Sequence, residues 1–80
     1  MQFEQSLLDI MAEFMEFDYV SDLRFLSPGQ RRFLYQRIKV LPLREEDIKD
    51  WNDALEYIAG ALPQRTAESA REHLLGFLNR

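Results

Sequence analysis

Apolar residues recur along most of the chain at the three- and four-residue spacing of amphipathic helices. In the first segment, one apolar stripe has further apolar residues at its side, so the apolar arc covers about half of the helix circumference. An arc of this width is typical of a central helix, or of a helix with a second packing partner. The stripe consists of Phe3, Leu7, Ile10, Met11 and Phe14, with Leu8 and Met15 beside it.

The second long helix has a well-defined start. Ser27 suits the N-cap, Pro28 suits the first helical position, and Gln30 can complete a capping box. Because Pro42 disfavours helical geometry at the preceding residue, the helix is predicted over residues 28–40. Its inward side chains are predicted to be Leu34, Ile38 and Leu41, with Phe33 and Tyr35 on the flanks. A short turn near residues 22–26, capped by Ser21 and carrying Leu23 and Phe25, is predicted just before it.

The third helix has the most regular pattern, a narrow seam of the kind that two packed helices share. Asp47 is predicted as its cap, and Glu45 and Glu46 are predicted to favour the positive end of its dipole. Gly60 is predicted to close the helix in a left-handed conformation before Pro63. The seam residues are Ile48, Trp51, Leu55, Ile58 and Leu62; Thr66 is predicted to cap a last helix whose inward residues are Ala67, Ala70, Leu74, Phe77 and Leu78.

These patterns predict an all-α fold, a small single-domain bundle of four main helices over residues 1–80, with the extra turn near residues 22–26. No segment alternates like a strand, and no Pro-, Gly- or Ser-rich linker divides the 80 residues. No apolar run approaches the roughly 20 residues needed to span a bilayer. The first residues carry acids where a signal peptide has bases. A cytoplasmic protein is therefore predicted.

Charge is strongly segregated along the chain, which has fourteen Asp and Glu against ten Lys and Arg. Residues 1–23 contain six acids and no base, residues 24–44 contain six bases and no acid, and residues 45–56 contain six acids and one lysine. This order predicts a basic helix that lies between two acidic ones and is matched by them. Arg31 and Arg37 are expected near carboxylates, and the edge formed by Arg32, Tyr35 and Lys39 is expected to stay open.

Residues for catalysis or cofactor binding do not form a recognisable pattern. The chain has no cysteine, one histidine and three glycines, so thiol chemistry and a phosphate-cradling glycine loop are excluded. The residues three and four positions from His73 on its helix are Ser69, Ala70, Gly76 and Phe77, none of them an acid or a base, and His73 is interpreted as a residue of the helix flank. The sequence therefore predicts a protein that is not an enzyme and has no metal or small-molecule cofactor.

The predicted function is that of a protein–protein interaction module or a self-associating domain. Six of the ten aromatic residues fall between residues 14 and 35. Completion of the core of a small domain explains most of them, and the interpretation is that the others line a groove or a self-association patch. The candidate interaction surface consists of Leu8, Met15, Arg32, Tyr35 and Lys39, and the expected partner is another protein or a second copy of the chain.

The alternative is a nucleic-acid-binding domain that uses the basic helix 28–40, with Tyr35 stacking on a base. This alternative is less favoured, because phosphate contacts dominate nucleic-acid affinity and the chain has a net charge of −4. The basic residues are also spread around their helix, whereas a strong nucleic-acid binder usually shows a clustered basic face.

Overall fold

A computed structural model describes residues 6–80, and it confirms the all-α fold with four main helices in this part of the chain. The α-helices are α1 (Leu7–Phe14), α2 (Pro28–Lys39), α3 (Ile48–Ala59) and α4 (Ala67–Leu78). A 3-10 helix at Val20–Arg24 precedes α2, and a second one at Glu45–Asp47 leads directly into α3. Phe3, the first residue of the predicted apolar stripe, lies outside the described residues.

The predicted ends of three helices are confirmed. At the start of α2, the Gln30 backbone N–H donates to Ser27 Oγ (3.2 Å), and the Ser27 N–H donates to Gln30 Oε1 (2.9 Å), which is the capping box. Thr66 Oγ1 accepts from the Ser69 N–H at 3.0 Å and caps α4. Gly60 closes α3 with φ of 66°, a left-handed conformation that glycine adopts without a steric penalty.

Helix α1 ends in a Schellman motif that the sequence pattern does not reveal. The Phe17 N–H donates to the Ala12 carbonyl at 2.9 Å, and the Glu16 N–H donates to the Glu13 carbonyl at 3.0 Å. Glu16 therefore occupies the left-handed position with φ of 57°, where glycine is usual. At the other end of α1, Ser6 Oγ accepts from the Asp9 N–H at 3.2 Å.

The four helices form a ring in which each helix packs against two of the others. Helix α4 packs against α3 and α2, and α1 packs against the same two helices from the other side. Helices α2 and α3 are therefore diagonal, with no Cα atoms within 8 Å of each other, and the same is true of α1 and α4. The side chains buried between the helices are Leu7, Met11, Ala12, Leu23, Leu34, Ile38, Trp51, Ala54, Leu55, Ile58, Ala67, Ala70, Leu74 and Leu78.

Several predicted core residues are placed differently by the structure. Leu62 is 81% exposed, because Gly60 ends α3 and the seam does not continue beyond it. Phe25 is 80% exposed, and the turn that carries it begins at Val20 without a side-chain cap, so the predicted role of Ser21 is wrong. Leu41 and Phe77 are only partly buried. Ala54, which the seam omits, is fully buried.

The connection between α3 and α4 is held by polar contacts. The Asn52 side chain donates to the Gln64 carbonyl (2.9 Å) and accepts from the Gln64 N–H (2.7 Å), so one side chain satisfies both backbone groups of a loop residue. The Ser69 hydroxyl also lies 3.1 Å from Gln64 Oε1. These contacts fix the direction in which the chain leaves α3.

The acidic residues before α3 do not cap that helix as predicted. Asp47 makes no capping hydrogen bond, because its carboxylate pairs with Arg44 at 3.2 Å. The Glu45 carboxylate instead accepts from the Ala67 N–H (2.9 Å) and from the Glu68 N–H (3.4 Å) at the start of α4. A side chain of the second 3-10 helix therefore stabilises the N-terminus of a helix that begins 22 residues later.

None of the helices in residues 6–80 combines the length and the apolar character needed to cross a membrane.

Candidate interaction surface

The outward surface of α2 carries apolar and basic side chains together. Leu34 and Ile38 are completely buried, so the opposite side of the helix faces solvent. Phe33 is 46% exposed and Val40, the C-cap residue, is 76% exposed. Arg32, Gln36, Arg37 and Lys39 are exposed around them, and the helix contains no acidic residue.

Arg37 joins α2 to α1 through aromatic rings. Its guanidinium lies 5.5 Å from the centroid of the Phe14 ring on α1 and 5.5 Å from the centroid of the Phe33 ring one turn earlier on α2. The Arg37 edge of α2 therefore faces α1. At 100° per residue, Arg32 and Lys39 lie on the far edge of the outward surface.

The predicted position of α2 between two acidic helices is wrong for α3, because α2 packs against α1 and α4. The acidic helix α3 is diagonal to α2. No cation of α2 forms a contact ion pair with a carboxylate in the described residues, whose ion pairs are Arg44 with Glu46 and Asp47, and Lys49 with Asp53. Arg37 lies over the rings of Phe14 and Phe33, and Arg31 has a buried Nε without a hydrogen-bond partner among the described residues. Of the edge predicted to stay open, Arg32 and Lys39 are exposed, whereas Tyr35 is partly buried against the core.

The structure separates the five residues of the predicted interaction surface into two groups. Lys39 Nζ lies 5.9 Å from the centroid of the Tyr35 ring, and Arg32 is on the same edge of α2. Leu8 and Met15 are partly buried against the core. They lie about 100–120° around α1 from Phe14, the residue that faces α2. Leu8 and Met15 therefore belong to the side of α1 that points away from α2.

Two acidic residues of α1 lie on the outer side of the α1 residues that flank α2. Ile10 and Phe14 are partly buried, and Asp9 and Glu13, one residue before each of them, are exposed. Because one residue is a rotation of about 100°, these two acids lie on the outward surface of α1, beyond Ile10 and Phe14 as seen from α2. We define the α1/α2 face by this order of side chains: Asp9 and Glu13, then Ile10 and Phe14, then Arg37 and Phe33, then Val40, and last Arg32 and Lys39.

A sequence signal for this face exists, but it is indirect. Phe14 fits the core stripe of α1, and Phe33 fits the flank of α2. Only the close approach of the two helices shows that both rings share one arginine. The absence of acids from residues 24–44 is the feature of the sequence that points toward this surface.

Two other places in the described chain combine polar and apolar groups. A cavity of about 10 Å³, close to the size of one water molecule, is lined by Leu7, Ile10, Leu41, Pro42, Asp47, Asp50 and Trp51. Burial there raises the pKa of the Asp50 carboxyl above its ordinary value, and the negative charges of Asp47 and Asp53 act in the same direction.

The second place is an open depression on α4 that contains His73. Its ring Nδ1 lies 2.9 Å from the Ser69 carbonyl oxygen, so the histidine is bonded to the backbone of its own helix. The same depression is lined by Glu72, Gly76, Phe77 and Arg80. A cluster of three or more His, Cys, Asp or Glu side chains that could hold a metal ion is not found in residues 6–80.

No protein-family model, curated protein or solved structure matches the chain. The α1/α2 face is therefore interpreted from its own chemistry.

Proposed function

We propose that this chain acts by binding and not by catalysis, and that it binds another protein through the α1/α2 face. The observation that carries the proposal is the exposed, acid-free outward surface of α2, on which Phe33 and Val40 lie among cations that have no carboxylate partner in the described residues. Exposed aromatic side chains and arginine are the residue types most enriched at protein interfaces.

A protein partner is favoured over nucleic acid by the composition of the face. Asp9 and Glu13 lie along one edge of it, and carboxylates there repel phosphates. The apolar residues Phe33 and Val40 lie between this edge and the basic edge. A partner protein can match acidic, apolar and basic strips together, whereas a phosphate backbone matches only the last of them.

A photoreactive side chain placed in the face tests the proposal. Benzoylphenylalanine at position 33, in cells that express the chain, should give a discrete protein adduct on irradiation. The matched control is the same substitution at Leu62, which is 81% exposed but lies in the loop between α3 and α4. Adduct formation at both positions, or at neither, contradicts the proposal.

The nature of the adduct distinguishes the two classes of partner. An adduct that is lost on nuclease treatment would support the nucleic-acid alternative and overturn the protein proposal. Fractionation of the cells before irradiation also tests the cytoplasmic setting that we propose from the sequence.

A further inference from the structure

We infer that the partner of the α1/α2 face is a second copy of the same chain, in a symmetric dimer where α1 of each copy lies against α2 of the other. This inference rests on the proposed function, because it names the occupant of the same face. It depends on the order of acidic, apolar and basic side chains across that face.

The two edges of the face carry opposite charge. Asp9 and Glu13 form the outer edge on α1, and Arg32 and Lys39 form the outer edge on α2. A twofold axis that runs along the seam between α1 and α2 brings the acidic edge of one copy onto the basic edge of the other. Both edges are then matched at once, so the face is complementary to itself. Symmetric dimers of this kind are the commonest protein oligomers.

The centre of the face is suited to burial. Phe14 and Phe33 both contact the guanidinium of Arg37, which spreads its charge over two ring faces. Val40 extends the apolar strip beyond Phe33. Apolar and aromatic side chains at the centre, with charged side chains at the rim, are the usual arrangement of a protein interface.

The size of the face sets the expected affinity. Helix α2 has 12 residues and is about 18 Å long, and two adjacent helices are together about 20 Å wide. The area of the α1/α2 face, as the product of this length and width, is less than half of the roughly 800 Å² that each partner buries in a standard interface. We therefore expect a dimer with a dissociation constant in the micromolar range or weaker.

Sedimentation equilibrium of the purified chain between about 1 µM and 1 mM tests the dimer directly. A monomer at every concentration overturns the inference. If the purified chain is monomeric but the photoreactive residue at position 33 still attaches to a different protein, the proposed function stands and only the second copy is excluded.

Paired charge reversals test the predicted arrangement. The double variant Arg32→Glu, Lys39→Glu has two acidic edges, and the double variant Asp9→Lys, Glu13→Lys has two basic edges. We expect each alone to dimerise at least tenfold more weakly than the unmodified chain. An equimolar mixture should recover a one-to-one heterodimer, because both edges are then complementary. Failure of the mixture to associate, or persistence of either homodimer, overturns the arrangement.

Matched controls carry the same change of charge elsewhere. Arg65→Glu with Arg80→Glu, and Glu56→Lys with Glu72→Lys, alter exposed residues of the α3 and α4 side. These variants should dimerise as the unmodified chain does. Loss of the dimer in the controls would show that net charge, and not the α1/α2 face, governs association. Thermal melts by circular dichroism establish that every variant is folded.

Discussion

The α3–α4 half of the molecule and the α1–α2 half are stabilised in different ways. Helices α3 and α4 are joined by directed polar contacts, in which Asn52 bonds the backbone of Gln64, and Glu45 bonds the start of α4. Between α1 and α2 the corresponding contact is a cation over two rings, with Phe33 partly exposed. In the α3–α4 half, hydrogen bonds between polar groups join the elements, and the α1–α2 half has apolar and charged groups left at the surface.

This contrast indicates that the α3–α4 half mainly stabilises the fold and that the α1–α2 half is available for binding. Residues that are left exposed contribute little to the net stability of a small domain, which is about 5–15 kcal/mol. Such residues are available for binding without loss of the fold. Substitutions made in each half test this difference in roles.

Removal of one large side chain from each half should have unequal effects. Trp51→Ala in α3 should lower the free energy of unfolding by about 3–5 kcal/mol, because the indole is 2% exposed and its loss leaves a cavity. Phe33→Ala in α2 should cost less than about 1 kcal/mol, because the ring is already half in solvent. Urea denaturation of both variants measures the difference. Equal losses would show that the two halves contribute alike to stability.

Polar side chains should show the same inequality on a smaller scale. Asn52→Ala removes the partner of both backbone groups of Gln64, and we expect a loss of about 1–3 kcal/mol. Gln36→Ala, on the exposed surface of α2, should change stability by no more than about 0.5 kcal/mol. Chemical denaturation measures the loss of stability in both variants. A loss in Asn52→Ala no larger than that in Gln36→Ala would contradict the comparison.

The same comparison shows how far the sequence predicts the fold. Signals carried by neighbouring residues are reliable, and the caps at Ser27 and Thr66 and the stop at Gly60 are all found. Contacts between distant residues are not visible in such signals. The bond from Glu45 to Ala67 spans 22 residues, and nothing near Glu45 in the chain points to it.

The candidate site was predicted in part for the same reason. The open basic edge of α2 follows from helical periodicity, which places Arg32 and Lys39 opposite the buried Leu34 and Ile38. The diagonal position of α2 and α3 is a tertiary property, so the expected charge matching between them is wrong. Leu8 and Met15, which the predicted surface grouped with the basic edge, are partly buried on another side of α1, because periodicity gives the width of an apolar arc but not the direction of each neighbour.

The two halves of the molecule meet at the Asp50 cavity. The stability of the fold should depend on pH through the ionisation of Asp50 in this cavity. The pKa of Asp50 is raised, chiefly by burial, so the folded state binds its proton more tightly than the unfolded state does. The contribution of the Asp50 carboxyl to the stability of the fold therefore falls as pH rises from about 4, the pKa of this group in the unfolded state, through its pKa in the folded state. Asp50→Asn should be slightly more stable than the unmodified chain at pH 7, and the difference should vanish below about pH 4.

The gain in stability of Asp50→Asn at pH 7 is expected to be small, because the N-terminus of α3 favours a charged carboxylate. Denaturation midpoints at several pH values measure it. A variant that is less stable at pH 7 would show that the helix dipole outweighs burial.

Reversal of the α2 cations should have the smallest effect on folding. In Arg32→Glu, Lys39→Glu, stability should change by no more than about 0.5 kcal/mol, because neither side chain has a carboxylate partner in the described residues. The comparison is with Lys49→Glu, which replaces an ion pair of 3.1 Å to Asp53 by a repulsion and should be sensitive to salt. Measurement at a concentration where the chain is monomeric separates folding from association. A large, salt-dependent loss in the α2 variant would show that its charges serve the fold.

The bond between the Glu45 carboxylate and the first N–H groups of α4 also bears on the order of folding. It closes a loop of 22 residues around α3, which is shorter than the stretches of chain that separate α1 from α3 and α2 from α4. Short-range contacts lose less chain entropy before they form, and they tend to form early. The α3–α4 hairpin is thus placed to form first and to open last, while α1 and α2 join it later and exchange their amide hydrogens sooner.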